Sequence, residues 1–250
     1  MCLIGVLPSL VILVLIWRSN VGKREPARFL RKLFLYGALT VISAFILGEM
    51  GENIYGSLDK NSILFFLIDN FIGVAMVEEG GKFFVLKKFT WKSSNFNYTY
   101  SAVLYAVIIS LGFATIENVF YMIDSDLFAF IIRAVFSVPG HAIFGVFMGE
   151  YYAKAKVAET YGDKKHVRQY LTMAYLVPVL LHGLDDFLLD CVHINTWLFL
   201  FIYLVFEITV IVVGIKTIKR LVREDTAIYR NIQLPWFLNK REIAYYSSSR

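Results

Sequence analysis

The sequence contains few cysteines, few prolines and few charged residues. Its 250 residues include 2 cysteines and 5 prolines, and 18% of them are charged. Cys2 and Cys191 are too few for a disulfide scaffold, so we expect free thiols. No H-E-x-x-H motif occurs, which excludes the helical zinc site built on that motif. No internal repeat or low-complexity linker divides the chain, so we predict a single domain over residues 1–250.

Apolar residues are in excess. They make up 58% of the chain, against about 45–50% in soluble domains, and the mean hydropathy is +0.60. The sequence contains seven apolar segments, at residues 3–17, 33–48, 63–86, 101–123, 127–151, 170–189 and 197–215. Most reach the roughly 20 residues that a helix needs to cross a bilayer, and the first two would need their flanks or a thin bilayer. We therefore predict an all-α, polytopic transmembrane helix bundle with about seven spans.

The basic residues are concentrated in alternate connections between these segments. Residues 18–32, 87–92, 154–168 and 216–250 hold 22 of the 25 lysines and arginines. The opposite connections are acidic, and Lys60 is the only basic residue assigned to them. The positive-inside rule then places the N-terminus outside, the C-terminus inside and residues 216–250 in a basic cytoplasmic tail. The net charge of +5 comes from these loops, so we expect no nucleic-acid partner.

The third apolar segment contains the residues that a membrane disfavours most. Glu78 and Glu79 are adjacent there, and each charge near the bilayer centre costs roughly 2.5–3.5 kcal/mol. Lys82 lies four residues after Glu78, so we expect these two side chains to pair and Glu79 to have no partner in its own helix. One Glu–Lys pair would fit a structural salt bridge between helices, whereas a second, unpaired glutamate indicates a polar cavity.

Each of the next three segments adds an isolated acid or imidazole. The fourth carries Glu117 followed by Asn118, the fifth carries His141, and the sixth carries His182 with Asp186 four residues later. A single buried histidine is usually structural, but such groups on four consecutive spans indicate one shared site, in a water-accessible cavity built from spans three to six. A transporter would need the same residues for an ion or proton path. A scaffold without chemistry is a third alternative.

Glutamate and histidine gathered in a low-dielectric pocket can activate water. In one interpretation Glu117, His141 and His182 bind Zn²⁺ and Glu79 is the general base. In a metal-free interpretation the glutamates deprotonate water and the histidines stabilise the oxyanion. The residues by themselves leave both mechanisms open.

The depth of these groups in the membrane sets a geometric requirement. In a straight helix that starts at residue 63, Glu79 lies about 24 Å from the outer end, whereas Glu117 lies a similar distance from the inner end of its span. The two carboxylates would then lie at different depths in the membrane and could not share one site. We therefore predict that the third span slides to about residues 69–89 or kinks near Asp69, which brings Glu79 to mid-depth.

Together the motifs resemble those of the PrsW family of bacterial intramembrane proteases. On successive spans they read Glu78-Glu79-x-x-Lys82, Phe113-x-x-x-Glu117, His141-x-x-x-Gly145 and His182-x-x-x-Asp186. The resemblance covers about residues 60–190. It implies a wider group that includes the CAAX prenyl proteases and the bacteriocin-immunity Abi proteins. That group typically has histidine in the second motif, so Glu117 favours the PrsW branch.

The resemblance implies a multi-pass protease of the bacterial cell membrane. Its partner would be a single-span anti-sigma factor, cut near the outer face so that a sigma factor is released under envelope stress. The catalytic residues carried over are Glu78, Glu79, Glu117, His141 and His182, and the supporting residues are Lys82, Asn118 and Asp186. A CAAX-like protease or a bacteriocin-immunity protein is the alternative from the same resemblance.

Other titratable residues are predicted to lie outside the site. We expect His166 and His193 to be solvated in loops, and Glu150 and Asp190 to reach water at span ends. Glu207 lies in an otherwise almost wholly apolar last span, so it is the remaining residue that could touch the site.

Overall fold

The computed structural model describes residues 2–18, 25–96, 98–124 and 127–232. These residues contain helices and no strand. The elements are α1 (Cys2–Arg18), α2 (Ala27–Tyr55), α3 (Ile63–Ile68), a π-helical segment (Asp69–Ala75), α4 (Met76–Thr90), α5 (Thr99–Asp124), α6 (Leu127–Thr160), α7 (Lys164–Cys191) and α8 (Thr196–Ile232). The predicted all-α class is confirmed over the described residues.

Several helices extend beyond the apolar segments that predicted them. Among the described residues, four stretches are long and apolar enough to cross a membrane: Ala27–Tyr55, Thr99–Tyr121, Lys164–Cys191 and Thr196–Thr226. The prediction that the second apolar segment, residues 33–48, needs its flanks in order to span is confirmed, because α2 has 29 residues and extends beyond this segment at both ends. Hydropathy detects the lipid-facing stretch, whereas a helix, once nucleated, continues into polar flanks at little cost.

Helix α5 is the centre of the bundle. In its most apolar stretch 78% of the residues are buried, against 22% in α2 and in α8. Helices α6, α2 and α1 pack around it. A helix that is apolar on all sides is expected in such a position. Glu117 therefore lies near the end of a helix that neighbours surround, rather than on the lipid-facing surface.

Glycines allow the backbones of α2, α5 and α6 to approach closely. A methyl group on Gly37 of α2 would overlap the backbone of Ile109 on α5, and one on Gly112 of α5 would overlap the backbone of Phe34 on α2. Gly149 of α6 faces the α5 backbone in the same way. Small residues at helix interfaces serve this purpose in membranes, where van der Waals packing drives association.

We expect the Gly37→Ala substitution to destabilise the bundle by about 1–3 kcal/mol, the usual cost of overpacking. The new methyl would meet backbone atoms, which cannot rotate away as a side chain can. Thermal unfolding in detergent measures the loss. Gly48→Ala in the same helix is the matched control, because its methyl would have its nearest neighbour at 3.8 Å. Equal destabilisation by both substitutions would contradict the close-packing argument.

The third predicted span contains the expected irregularity. Helix α3 passes at Asp69 into the π-helical segment, and α4 begins at Met76. Tyr55 of α2 donates a hydrogen bond to Asp69 (2.6 Å), and Asn70 donates one to Asp190 of α7 (2.7 Å). The wider π turn changes the angular position of every later residue. It therefore determines which face of α4 carries the two adjacent glutamates.

Helix α8 continues to Ile232, well into the predicted tail. Its buried Asp225 accepts hydrogen bonds from the backbone N–H groups of Thr99 (3.3 Å) and Tyr100 (2.7 Å) and from the Thr99 hydroxyl (2.5 Å). A carboxylate on these N–H groups satisfies donors that have no partner within α5 and complements the helix dipole. The first part of the predicted tail is thus helical and is held to the start of α5 by hydrogen bonds. Residues 233–250 lie outside the described residues.

Candidate active site

The candidate site lies where α4, α5, α6 and α7 meet. All five residues predicted to be catalytic take part in one network of contacts: Glu78, Glu79, Glu117, His141 and His182. The network also contains the predicted supporting residues Lys82 and Asp186. Asn118, the third supporting residue, is buried next to Glu117 in the sequence of α5.

The ammonium group of Lys82 occupies the middle of the network and is fully buried. Its Nζ lies 2.7 Å from Oε1 of Glu79 and 3.5 Å from Oε2 of Glu78. It also lies 3.1 Å from Nδ1 of His141 and 4.0 Å from the ring centre of Phe113. The prediction that Glu79 has no partner in its own helix was wrong. Residues three and four apart are both neighbours on a helix, and here the i,i+3 contact is the closer one.

The contacts of His141 define its tautomer. An ammonium group only donates hydrogen bonds, so Nδ1 of His141 accepts from Lys82. The ring proton is then on Nε2, which donates to Oε2 of Glu117 at 2.8 Å. Glu79 and Glu117 are therefore joined through Lys82 and His141. The two carboxylates thus belong to one site, as the predicted irregularity of the third span requires.

His182 is held by carboxylates on both sides of its ring. Its Nδ1 lies 3.0 Å from Oε1 of Glu79, and its Nε2 lies 3.2 Å from Oδ2 of Asp186. Nε2 is also 3.9 Å from Oε2 of Glu78. The rings of His141 and His182 meet edge to face with centres 5.0 Å apart. Two imidazoles thus lie together beside two adjacent glutamates.

Glu78, His141 and His182 are arranged so that they could hold a metal ion. Each offers one ligand atom, and these atoms lie within 4.8 Å of one another. Oε2 of Glu78 is buried without a hydrogen-bond partner among the described residues, as expected for an oxygen available to an ion. One carboxylate and two imidazoles form the donor set of several catalytic zinc sites. The sequence-based set had Glu117 in place of Glu78, but Glu117 instead accepts the hydrogen bond from His141.

The charge of the network also favours a cation. The network contains one ammonium group and four carboxyl groups, those of Glu78, Glu79, Glu117 and Asp186. At their formal charges these five groups carry a net charge of −3. Buried charges need partners, because their desolvation is otherwise costly. A divalent ion would offset two of these charges, so the residues present fit such an ion.

A cavity of about 770 Å³ leads to the site. Glu78 and Glu117 line it, together with apolar residues of α2 and with Asp69 of the π-helical segment. Glu49 and Glu52, near the end of α2, also line it. The prediction of a cavity built from spans three to six was wrong in part. Helix α2 forms a wall, and among the residues whose side chains the structure describes, none of α6 or α7 lines the cavity. Glu79, His141 and His182 lie behind the wall formed by the two lining glutamates.

Known proteins match this chain over most of its length. The profile of the family described as PrsW family intramembrane metalloprotease matches residues 25–214. This chain belongs to the PrsW family. Protease PrsW from Oceanobacillus iheyensis is 35% identical over 74% of this chain and 80% of the relative, and that from Clostridioides difficile is 35% identical over 75% and 78%. The Halalkalibacterium halodurans protein is 31% identical over 86% and 94%. No solved structure matches.

The family membership confirms the predicted enzyme class, an intramembrane protease. The placement of this PrsW protease beside the CAAX and Abi proteins is not tested by these relatives and stays a prediction. Its membrane location agrees with the family and with the apolar helices described above.

Sequence reasoning missed a second acidic pair in this PrsW protease. Asp185 of α7 and Glu207 of α8 are both buried, and their carboxyl groups interact with each other. One oxygen of each, Oδ1 of Asp185 and Oε2 of Glu207, has no hydrogen-bond partner among the described residues. Glu207 therefore reaches the site only indirectly, through the helix that carries His182. In the sequence, the signal for this pair was Glu207, an isolated acidic residue in an otherwise apolar last span.

The other predicted non-site residues fall into two groups. His166 and His193 are exposed, as expected, and His166 lies 2.6 Å from Asp163 at the start of α7. The prediction for Glu150 was wrong, because it is buried and accepts from Lys154 and Arg220 at 2.6 Å. Cys191 is free and buried, whereas the side chain of Cys2 lies outside the described residues.

Proposed function

We propose that this PrsW protease hydrolyses a peptide bond of a single-span membrane protein, an anti-sigma factor, in the bacterial cell membrane. The observation that carries the proposal is the cavity of about 770 Å³ that ends on Glu78 and Glu117, with two imidazoles directly behind them. A peptide that enters this cavity meets carboxylates able to accept a proton and a donor set able to hold a metal ion.

In the proposed mechanism Glu117 is the general base. It lines the cavity, so it can accept the proton of a water molecule whose oxygen attacks the peptide carbonyl. The hydrogen bond from Nε2 of His141, at 2.8 Å, holds its carboxylate in place. The same carboxyl group then returns the proton to the nitrogen of the leaving amine. Glu79, which sequence reasoning made the base, does not line the cavity.

Glu79 has a positioning role in this mechanism. Its Oε1 accepts from Nδ1 of His182, so that Nε2 of the same ring points towards Glu78 and Asp186. A carboxylate behind a ligating histidine is the usual outer-shell partner of zinc. Zn²⁺ held by Glu78, His141 and His182 would act as a Lewis acid on the scissile carbonyl. His141 would then offer its Nδ1 lone pair to the ion in place of the hydrogen bond that it accepts from Lys82, and would keep the hydrogen bond from Nε2 to Glu117. Lys82 compensates part of the negative charge of the neighbouring carboxylates.

Seven spans, with the N-terminus outside and the C-terminus inside, are part of the proposal. The positive-inside distribution of the sequence supports it. The described contacts agree: Lys154 of α6 and Arg220 of α8 meet on Glu150, whereas Tyr55 and Asp69 meet at the acidic end of the cavity. In this orientation the acidic end of the cavity, which Glu49, Glu52 and Asp69 line, faces outward. The substrate would then be cut near the outer face of the membrane, and this cut would begin the release of a sigma factor.

The proposal is tested by reconstituting the purified protein in liposomes with a single-span anti-sigma factor that carries a different tag at each end. We expect one cut near the outer end of the span. A transporter would instead move ions or protons across the same liposomes and leave the substrate intact. Cleavage restricted to prenylated C-terminal peptides would favour a CAAX-like activity. Either of these results would overturn the proposal.

A further inference from the structure

A second cavity lies between α4 and α7, at the basic end of the bundle. Its volume is about 630 Å³, and it shares no lining residue with the cavity of the candidate site. Helix α4 contributes Phe83 and Lys87, which are four residues apart and so lie on one face. Helix α7 contributes Lys164 and Arg168, also four residues apart. We call this cavity the α4–α7 groove.

The groove combines a cationic rim with apolar walls. Lys87, Lys164 and Arg168 supply the charge, and over the described residues none of their side chains forms an ion pair with a carboxylate. The walls are apolar and include Phe83 and Leu171. In a protein that spans a membrane, this combination suits a ligand with an anionic head and a hydrocarbon chain.

The one acidic residue of the lining does not neutralise this rim. Glu159 lies 2.5 Å from Nζ of Lys156 through one oxygen, and its other oxygen accepts from Nε1 of Trp91 at 2.9 Å. Both oxygens are thus engaged by groups outside the cationic rim. The three cations of the groove remain available to an anion from elsewhere.

The floor of the groove is in contact with the helix of the candidate site. Tyr175 lines the groove, and its ring lies 6.0 Å from that of Phe83. The Tyr175 hydroxyl donates to the carbonyl of Met76, the first residue of α4, at 2.9 Å. Its ring also packs against Gly80, which follows Glu79 in the chain. A ligand in the groove would therefore stabilise the contact between α4 and α7.

We propose that the α4–α7 groove binds an anionic phospholipid, with the phosphate on the three cations and an acyl chain along Phe83 and Leu171. An acidic peptide would pair with the three cations but would place no hydrocarbon chain against the apolar walls. A zwitterionic lipid would place its acyl chain there, but the positive charge of its head group would be repelled by the three cations. The site is independent of the proteolytic function, since none of its residues belongs to the catalytic network.

The test uses the full-length protein in a neutral detergent and native mass spectrometry with phosphatidylglycerol or with phosphatidylcholine of the same acyl chains. We expect retention of phosphatidylglycerol by the parent protein. The Lys87→Gln/Lys164→Gln double variant should bind it roughly thirty-fold more weakly, the effect expected for two basic residues near an anionic lipid. The matched control is Lys88→Gln/Lys165→Gln, which removes the same charge one residue away from each and outside the groove lining.

Three results would overturn the proposal. Equal retention of phosphatidylcholine would show that the rim does not select an anion. An equal loss in the control double variant would show attraction by general surface charge. Competition by soluble glycerol phosphate as strong as by the lipid would show an anion site without an acyl chain. If the first double variant unfolds, Arg168→Gln compared with Lys165→Gln answers the same question.

Discussion

The Glu117→Gln variant is expected to lose peptide-bond cleavage by about 10²–10⁴-fold, the usual contribution of a general base. Glutamine keeps the size of the side chain and can still accept the hydrogen bond from Nε2 of His141. It cannot take a proton from water. The measurement is the initial rate of cleavage of a tagged single-span substrate in liposomes, with the metal content of each preparation determined in parallel.

Two further variants make this result specific. Glu52→Gln removes a carboxylate from the lining of the same cavity, but the Glu52 side chain is half-exposed and paired with Lys60, so the cleavage rate of this variant should stay close to that of the parent. Glu79→Gln disturbs the orientation of His182 and should cost about 10–100-fold, as outer-shell partners do. A larger loss in Glu79→Gln than in Glu117→Gln would restore Glu79 as the base and refute the assignment made from the cavity.

Metal analysis of the His182→Ala variant is expected to show loss of the ion together with loss of cleavage. His182 supplies one of three candidate ligands, and removing a ligand should cost at least the roughly 10–100-fold in affinity known for outer-shell partners. The parent protein should contain about one zinc per chain after purification. His166→Ala is the matched control, since this histidine begins the same helix but is exposed and distant from the site in sequence.

The same measurement distinguishes the two ligand sets. Under the zinc proposal Glu78→Gln should lose zinc, whereas Glu117→Gln should keep it, because Glu78 and not Glu117 lies with the two imidazoles in the candidate ligand set. The reverse result would support the ligand set predicted from the sequence. A parent protein that is fully active after exhaustive chelation, with no metal detected, would contradict the zinc proposal and favour catalysis by the carboxylates and imidazoles alone.

Much of the site could be predicted because the residues concerned are so unfavourable in a membrane. A glutamate, histidine or lysine in an apolar segment is costly unless it faces a polar partner, so its presence alone identifies it. This argument found Glu78, Glu79, Glu117, His141 and His182. It also found the irregularity at Asp69, since a straight helix would have placed two of these carboxylates at different depths.

Pairing within the site could not be predicted in the same way. Residues at i,i+3 and i,i+4 are both neighbours on a helix, so spacing alone cannot decide between Glu78 and Glu79 as the closer partner of Lys82. The rotation that the π-helical segment introduces before α4 is also absent from any local pattern. The contact between Asp185 and Glu207 joins two helices whose relative rotation the sequence does not state.

The sequence by itself determined the class of the molecule: an apolar helical chain with a few acids and imidazoles on consecutive spans, in an order typical of one protease family. These properties follow from local composition and from the cost of a charge in hydrocarbon, which do not depend on how the helices pack. Only the tertiary structure decided that Glu78 joins the two histidines as a candidate ligand and that Glu117 faces the cavity. Those facts depend on helix rotation and on glycine contacts between α2, α5 and α6, and such distances exist only once the chain has folded.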